Sequence, residues 1–283
     1  MGSTTLFLAA AALAASASDE TRFSLAAEWS PIARSAYGFH LDVQSGLGDV
    51  LDPGPSVPLR SYDWDAVAPL LPPDRAVVGD VWEPDVAPIV EILRQLDPSA
   101  SAVLHHHHAP VPSSDPTKLP ELGPPLPSAP LGVRATLLAG GPIVDVLLRA
   151  HVEFHLEDRA VYYTPGQFEG RLVFDREAQR VVAFHLAVPD RDSNVDINVE
   201  EGFGRAGMVD IGYVPRLGVR TKAIPPERDP ATLDEARLRL RRAFYAFARI
   251  DWLPLDDAVL ESERTGKPLH VVVLFGTLDD ESC

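Results

Sequence analysis

The chain has 283 residues, 46% of them hydrophobic, which is enough to fill a core and excludes wholesale disorder. Its 25 lysines and arginines face 41 aspartates and glutamates; the formal charge of -16 repels a phosphate backbone and argues against nucleic acid as a partner. Twenty-seven prolines argue against a mostly helical chain, and the single cysteine, Cys283, excludes an intramolecular disulfide and a Cys-x-x-Cys metal knuckle.

The first 18 residues are expected to be an export signal: the apolar run Leu6 to Ala15 is followed by small residues before Asp19 and Glu20. That run is too short for a bilayer, and no other segment approaches the ~20 apolar residues of a transmembrane helix. A periplasmic or extracellular protein is the expectation, with a frayed alanine-rich helix as the alternative reading of the run. Residues 19–108 form a mixed N-terminal region. Within it Val86, Ile89, Val90 and Leu93 recur at helical spacing and predict a helix over Asp85 to Leu96, with Pro98 just beyond. His105 to His108 invite a metal reading, but four adjacent histidines cannot all reach one ion with good geometry, so incidental low complexity is preferred. Residues 109–130 hold eight prolines and few bulky apolar groups, the composition of an extended linker or long surface loop.

Residues 131–224 read as an antiparallel β domain. In His151 to Glu157 the apolar Val152, Phe154 and Leu156 alternate with His151, Glu153, His155 and Glu157, predicting one buried and one wet face. His151 and His155 have the spacing of a helical metal pair, but a strand separates them by ~13 Å, so they are expected to face solvent. Gly170 to Phe174 and Val181 to Val188 flank polar residues as a hairpin, and Val195 to Val199 and Met208 to Val214 alternate again. Five such strands predict a sandwich-like sheet or one packed by helices. Asp196 and Asp210 are expected to point outward, with an inter-domain cleft as the alternative.

Residues 231–283 return to a helical period. Thr232 and Glu235 have capping-box spacing, and Leu233, Ala236, Leu240, Ala243, Phe244 and Phe247 line one face. The basic run Arg237, Arg239, Arg241 and Arg242 on that helix reads as a solvated face rather than an anion site. A second helix is predicted over Leu255 to Thr265, with Asp256 and Asp257 at its N-terminus and Gly266 as its left-handed cap. The apolar run Leu269 to Phe275 then suggests a central strand. Helix, glycine, buried strand, loop and cysteine is the order in which a thioredoxin-like fold presents its redox residue. The fold expected is therefore α+β: an antiparallel β-rich domain followed by the start of a thioredoxin-like α/β domain.

The residues themselves carry a family resemblance. KPLHVVVLFGTLDDESC (Lys267 to Cys283) resembles the part of selenoprotein N that leads into its Ser-Cys-selenocysteine-Gly motif. HVEFHLEDRAVYYTPGQFEGRLVF (His151 to Phe174), SNVDINV (Ser193 to Val199) and MVDIGYVPRL (Met208 to Leu217) resemble further stretches in the same order. The resemblance runs from about Arg134 to Cys283 and implies a thiol-disulfide oxidoreductase in which Cys283 is the resolving thiol beside a selenocysteine at the next position. It further implies a protein disulfide substrate or thiol reductant as partner. On that reading the chain up to Cys283 stops where the selenocysteine codon would lie and is expected to be inactive by itself. Asp279, Asp280 and Glu281 crowd Cys283 with negative charge, which raises a thiol pKa, whereas a selenol ionises more readily. Animal members are endoplasmic-reticulum membrane glycoproteins with an EF-hand; no D-x-[DN]-x-[DN]-G loop occurs here, which fits a compact bacterial-type homologue. Cys283 could also link two chains into a dimer. The alternative to the enzyme is an exported, non-catalytic β-rich binding or structural module.

Overall fold

The computed structural model describes residues 21–35, 54–102, 108–111, 121–125, 132–156, 161–191, 193–199, 208–245 and 247–271. The predicted export signal, His105 to His107, most of the proline-rich segment, and Val272 to Cys283 lie outside the described residues.

The architecture is α+β, with two antiparallel sheets packed face to face. The larger has eight strands in the order β3 (Leu59–Asp63), β1 (Arg22–Trp29), β15 (Leu217–Arg220), β12 (Arg180–Ala187), β11 (Phe168–Asp175), β8 (Ile143–His151), β7 (Gly132–Ala139) and β4 (Val81–Trp82). The smaller has five, in the order β2 (Arg34–Ser35), β14 (Met208–Tyr213), β13 (Val195–Val199), β10 (Val161–Pro165) and β9 (Phe154–Leu156). The large sheet thus draws strands from both sides of the proline-rich segment. Within that segment β5 (His108–Val111) and β6 (Glu121–Pro125) pair as a separate two-stranded ribbon.

Alternation builds the core. Phe23, Leu25, Ala27 and Trp29 project from one side of β1, and Phe168, Leu172, Phe174, Phe184 and Leu186 continue that apolar face across β11 and β12. Trp29 meets the smaller sheet: its ring lies 5.3 Å from Phe154 and 5.2 Å from Tyr163. Burial pushes the Tyr163 phenol far above its usual range, so this hydroxyl stays neutral. A 3-10 helix (Trp64–Leu70) and α1 (Ala87–Leu93) pack Val67, Leu70, Ile89, Ile92 and Leu93 into the same core. The buried Gln95 side chain ties the end of α1 to β1, donating to the Leu25 carbonyl at 2.7 Å and accepting from the Tyr62 hydroxyl at 3.2 Å.

The other face of the large sheet is covered over half its width by α2 (Pro230–Phe244), whose Ala236 and Leu240 pack on Leu138 and Leu147. This is why every residue of β8 after Ile143 is buried. The helix starts earlier than the Thr232–Glu235 spacing predicts. Asp229 is the N-cap, accepting from the Thr232 backbone at 3.2 Å, because Pro230 is preorganised for the first helical position. The helix ends at Phe244, and Phe247–Arg249 is a separate 3-10 turn. Beneath the start of α2, Asp145 of β8 is fully buried and binds two guanidiniums. Arg171 of β11 contacts it at 2.5 and 3.2 Å, and Arg228 at 2.8 Å. Arg171 also donates to the Pro226 carbonyl at 2.7 Å, so one carboxylate fastens two strands and the segment leading into α2.

The predicted helix Leu255 to Thr265 is α3 (Leu255–Thr265), closed by Gly266 at φ 68°. None of its residues is buried. The predicted strand Leu269 to Phe275 is not formed over Leu269–Val271, which have no regular secondary structure and leave Leu269 and Val271 exposed; Val272 to Phe275 lie outside the described residues.

The wet face expected for His151 to Glu157 is corrected. β8 ends at His151, β9 begins at Phe154, and the chain crosses between sheets there, with His151 and Glu153 both fully buried. Ser101 pairs with Glu153 through two backbone hydrogen bonds of 2.9 Å, so the segment after α1 covers this stretch.

Two stability predictions follow from this packing. Asp145→Asn should lower the unfolding free energy by about 3 kcal/mol in denaturant titration, since two guanidiniums lose their shared counter-charge; a loss under about 1 kcal/mol would show the cluster to be incidental. Asn194, 1% exposed, accepts from the Val214 backbone at 2.8 Å and donates to the Val214 and Pro189 carbonyls. Asn194→Ala should cost about 2 kcal/mol by the same measurement, because buried backbone groups lose their partners.

Candidate functional site

The half of the large sheet that α2 leaves uncovered forms a groove of about 560 Å³, within the usual size range of ligand sites. Its floor follows from register. Arg171 in β11 stands opposite His185 in β12, and His185 opposite Arg220 in β15, so three basic side chains share one row at strand spacings of about 4.8 Å. The next row is Glu169, Ala187, Gly218 and Glu28. A Cβ on Gly218 would collide with the Leu186 carbonyl and Ala187, so close cross-strand approach requires glycine there and leaves the middle of the floor low.

The walls are charged. Glu28 holds Arg220 at 2.7 Å along one side, and Glu169 holds Arg237 of α2 at 2.8 Å along the other. Pro189, Asp190, Pro215 and Arg216 close one end. That end is braced by the Asn194 bonds, by Tyr213 donating to Asp190 at 2.5 Å, and by the Ser30 backbone donating to the Arg216 carbonyl at 2.7 Å. Desolvation by the surrounding groove, and then the Arg220 charge, lower the His185 imidazole below the usual histidine range, although the residue is exposed to solvent. At neutral pH His185 is therefore an uncharged donor and acceptor between two arginines.

This constellation escapes a reading of the residues in order. Arg171, His185 and Arg220 lie far apart along the chain, and only strand register brings them together. A partial signal existed in the alternation of Arg216, Gly218 and Arg220, which puts two arginines on one face with a gap between them.

The residues singled out from sequence are distributed elsewhere. Asp196 and Asp210 are buried, 8% and 2% exposed, rather than outward. On the inner face, Ser35 Oγ of β2 lies 2.6 Å from both Asp210 carboxylate oxygens. The spacing between His151 and His155 spans the crossing between the sheets; His155 Nε2 contacts the buried Glu153 at 3.1 Å. Among the described residues no group of three or more His, Cys, Asp or Glu is arranged to hold a metal ion. Of the basic run on α2, Arg237 joins the groove wall, Arg239 pairs with Glu235, and Arg242 lies 3.8 Å from Asp251. Cys283 lies outside the described residues.

No described helix is long and apolar enough to cross a membrane. No family model matches the chain, and no solved structure is significantly similar to it. Three curated proteins are similar. Selenoprotein N of Danio rerio is 29% identical over 192 residues, covering 55% of this chain and 34% of that protein. Selenoprotein N of Mus musculus is 30% identical over 194 residues, covering 55% and 34%. Selenoprotein N of Homo sapiens is 29% identical over 192 residues, covering 55% and 32%. The chain spans about a third of the length of these relatives. Over 55% of its length the chain is therefore similar to selenoprotein N, the family that the quoted segments between His151 and Cys283 resemble.

Proposed function

We propose that this polypeptide serves thiol-disulfide exchange of the selenoprotein N type, with Cys283 as the resolving thiol of a Cys-selenocysteine pair. The observation that carries the proposal is the resemblance of Lys267 to Cys283 to the lead-in of that redox motif, in a chain whose similarity to selenoprotein N covers 55% of its length. Selenocysteine at the following position would supply the nucleophile that opens a substrate disulfide. Cys283 completes the exchange. Its thiolate displaces the second substrate sulfur, so that one disulfide bond is consumed, two substrate thiols are released, and the protein pair is left oxidised for a thiol reductant to restore.

The local charges support this division of labour. Asp279, Asp280 and Glu281 precede Cys283, and each unit by which they raise its pKa above ambient pH removes about tenfold of its thiolate. A group that ionises at lower pH is the better attacker beside those carboxylates. The β-rich part, whose large sheet is locked to α2 through Asp145, would act as the scaffold that positions substrate. In the exported setting proposed for this chain the reductant is a small thiol or a partner protein.

Two outcomes test the proposal. In an insulin-reduction assay the 283-residue polypeptide should stay at baseline, and the chain extended through selenocysteine and the residues that follow should reduce insulin. Replacing that selenocysteine by cysteine should cost about tenfold or more at pH 7. Strong reduction by the 283-residue polypeptide, or an unchanged rate with cysteine, would overturn the assignment.

A further inference from the structure

The large sheet sets Arg171, His185 and Arg220 side by side on one face, an arrangement in which like charges oppose each other directly. The fold contains this repulsion in two ways. Asp145 and Glu28 neutralise the two arginines from their outer sides, and His185 between them is held neutral. Arg216, just before β15, and Gly218 and Arg220 within it line the groove, so two guanidiniums flank the low point of the floor, with backbones ~13 Å apart for extended chain. Arg216 has no ion pair among the described residues, and Arg220 is 56% exposed with one contact, to Glu28. Both retain donors that face the groove. A site this polar, braced at its rim by Asn194 and the Tyr213–Asp190 bond, stands out in a chain of net charge -16.

From this arrangement we infer that the groove over β1, β15, β12 and β11 is a binding site for a small polyanion, held at one end by Arg216 and at the other by Arg220 and His185. The planar forks of the two arginines suit carboxylate or phosphate oxygens, and the imidazole adds a directional hydrogen bond. Glu28 and Glu169 on the side walls are each engaged by a guanidinium, of Arg220 and Arg237, which offsets their charge towards an anion in the groove. Gly218 and Ala187 leave room for its middle. The site is independent of the redox reading, since it involves none of the residues near Cys283.

The test is isothermal titration of the 283-residue polypeptide, at pH 7.5 and low salt, with tricarballylate, pyrophosphate and acetate. Tricarballylate or pyrophosphate should bind with a Kd below about 1 mM, and acetate should not. Binding of tricarballylate alone would identify the ligand as a polycarboxylate, and of pyrophosphate alone as a phosphate compound; either supports the site. Arg216→Ala and Arg220→Ala, both at solvent-accessible positions, should each weaken binding about tenfold or more. Arg264→Ala removes the same charge from α3, outside the groove, and should leave the Kd within about twofold. Absence of binding by both polyanions up to about 10 mM, or equal weakening by Arg264→Ala, would overturn the inference.

Discussion

The carboxylate of Asp145 sits fully buried under two guanidiniums, and that contact ties β8 and β11 of the large sheet to the segment that enters α2. Arg171 comes from the neighbouring strand and Arg228 from the segment that enters α2, so the ion cluster fixes where the helix begins to cross the sheet. From that anchor α2 runs over β7 and β8, covers Leu138 and Leu147, and reaches Arg134 and Arg149, whose guanidiniums stack near Phe244 and Tyr245. A helix held at that angle shields one half of the sheet and leaves the other half open. The groove exists because the open half is bounded on one side by Arg237 of the same helix. A buried charge cluster of this kind is costly to desolvate, and its return is geometric definition rather than raw stability.

Much of the fold can be read from the order of residues, where local chemistry decides. The α3 boundaries are visible because Asp256, Asp257 and Gly266 mark its ends. The β11–β12 hairpin is visible because polar residues from Asp175 to Arg180 interrupt two apolar strands. What alternation cannot reveal is whether the second face of a strand is covered. His151, Glu153, Asp196 and Asp210 all sit at positions that read as wet, and all four are buried; Ser101, distant in sequence, covers Glu153, and Asp210 lies on the inner face opposite Ile197. β1 is hard to read for a related reason: its Ala26, Ala27 and Glu28 dilute the apolar pattern of a strand that lies next to the edge strand β3 in the large sheet. The groove needs one more level of information. Its basic row depends on the registers of β11, β12 and β15 together, and a slip of one residue in any of them would turn its side chain into the core.

The two functional proposals concern different parts of the polypeptide. Redox chemistry is assigned to the C-terminal segment, through the likeness of Lys267 to Cys283 to selenoprotein N. The anion site is assigned to the β-rich scaffold, through its geometry. The similarity to the curated selenoprotein N proteins covers more than half of this chain and about a third of theirs. A polar groove on that scaffold would give a thiol-exchange protein a second point of recognition, one that does not depend on the reacting sulfur.

The most direct test of the redox assignment is intact-protein and peptide mass spectrometry of the protein expressed from its native gene with selenium supplied. The assignment predicts a residue with the selenium isotope pattern immediately after Cys283, joined to it in the oxidised protein and shifted by two hydrogens on reduction. A product that carries no selenium at that position, or whose Cys283 remains a free thiol under oxidising conditions, would contradict it.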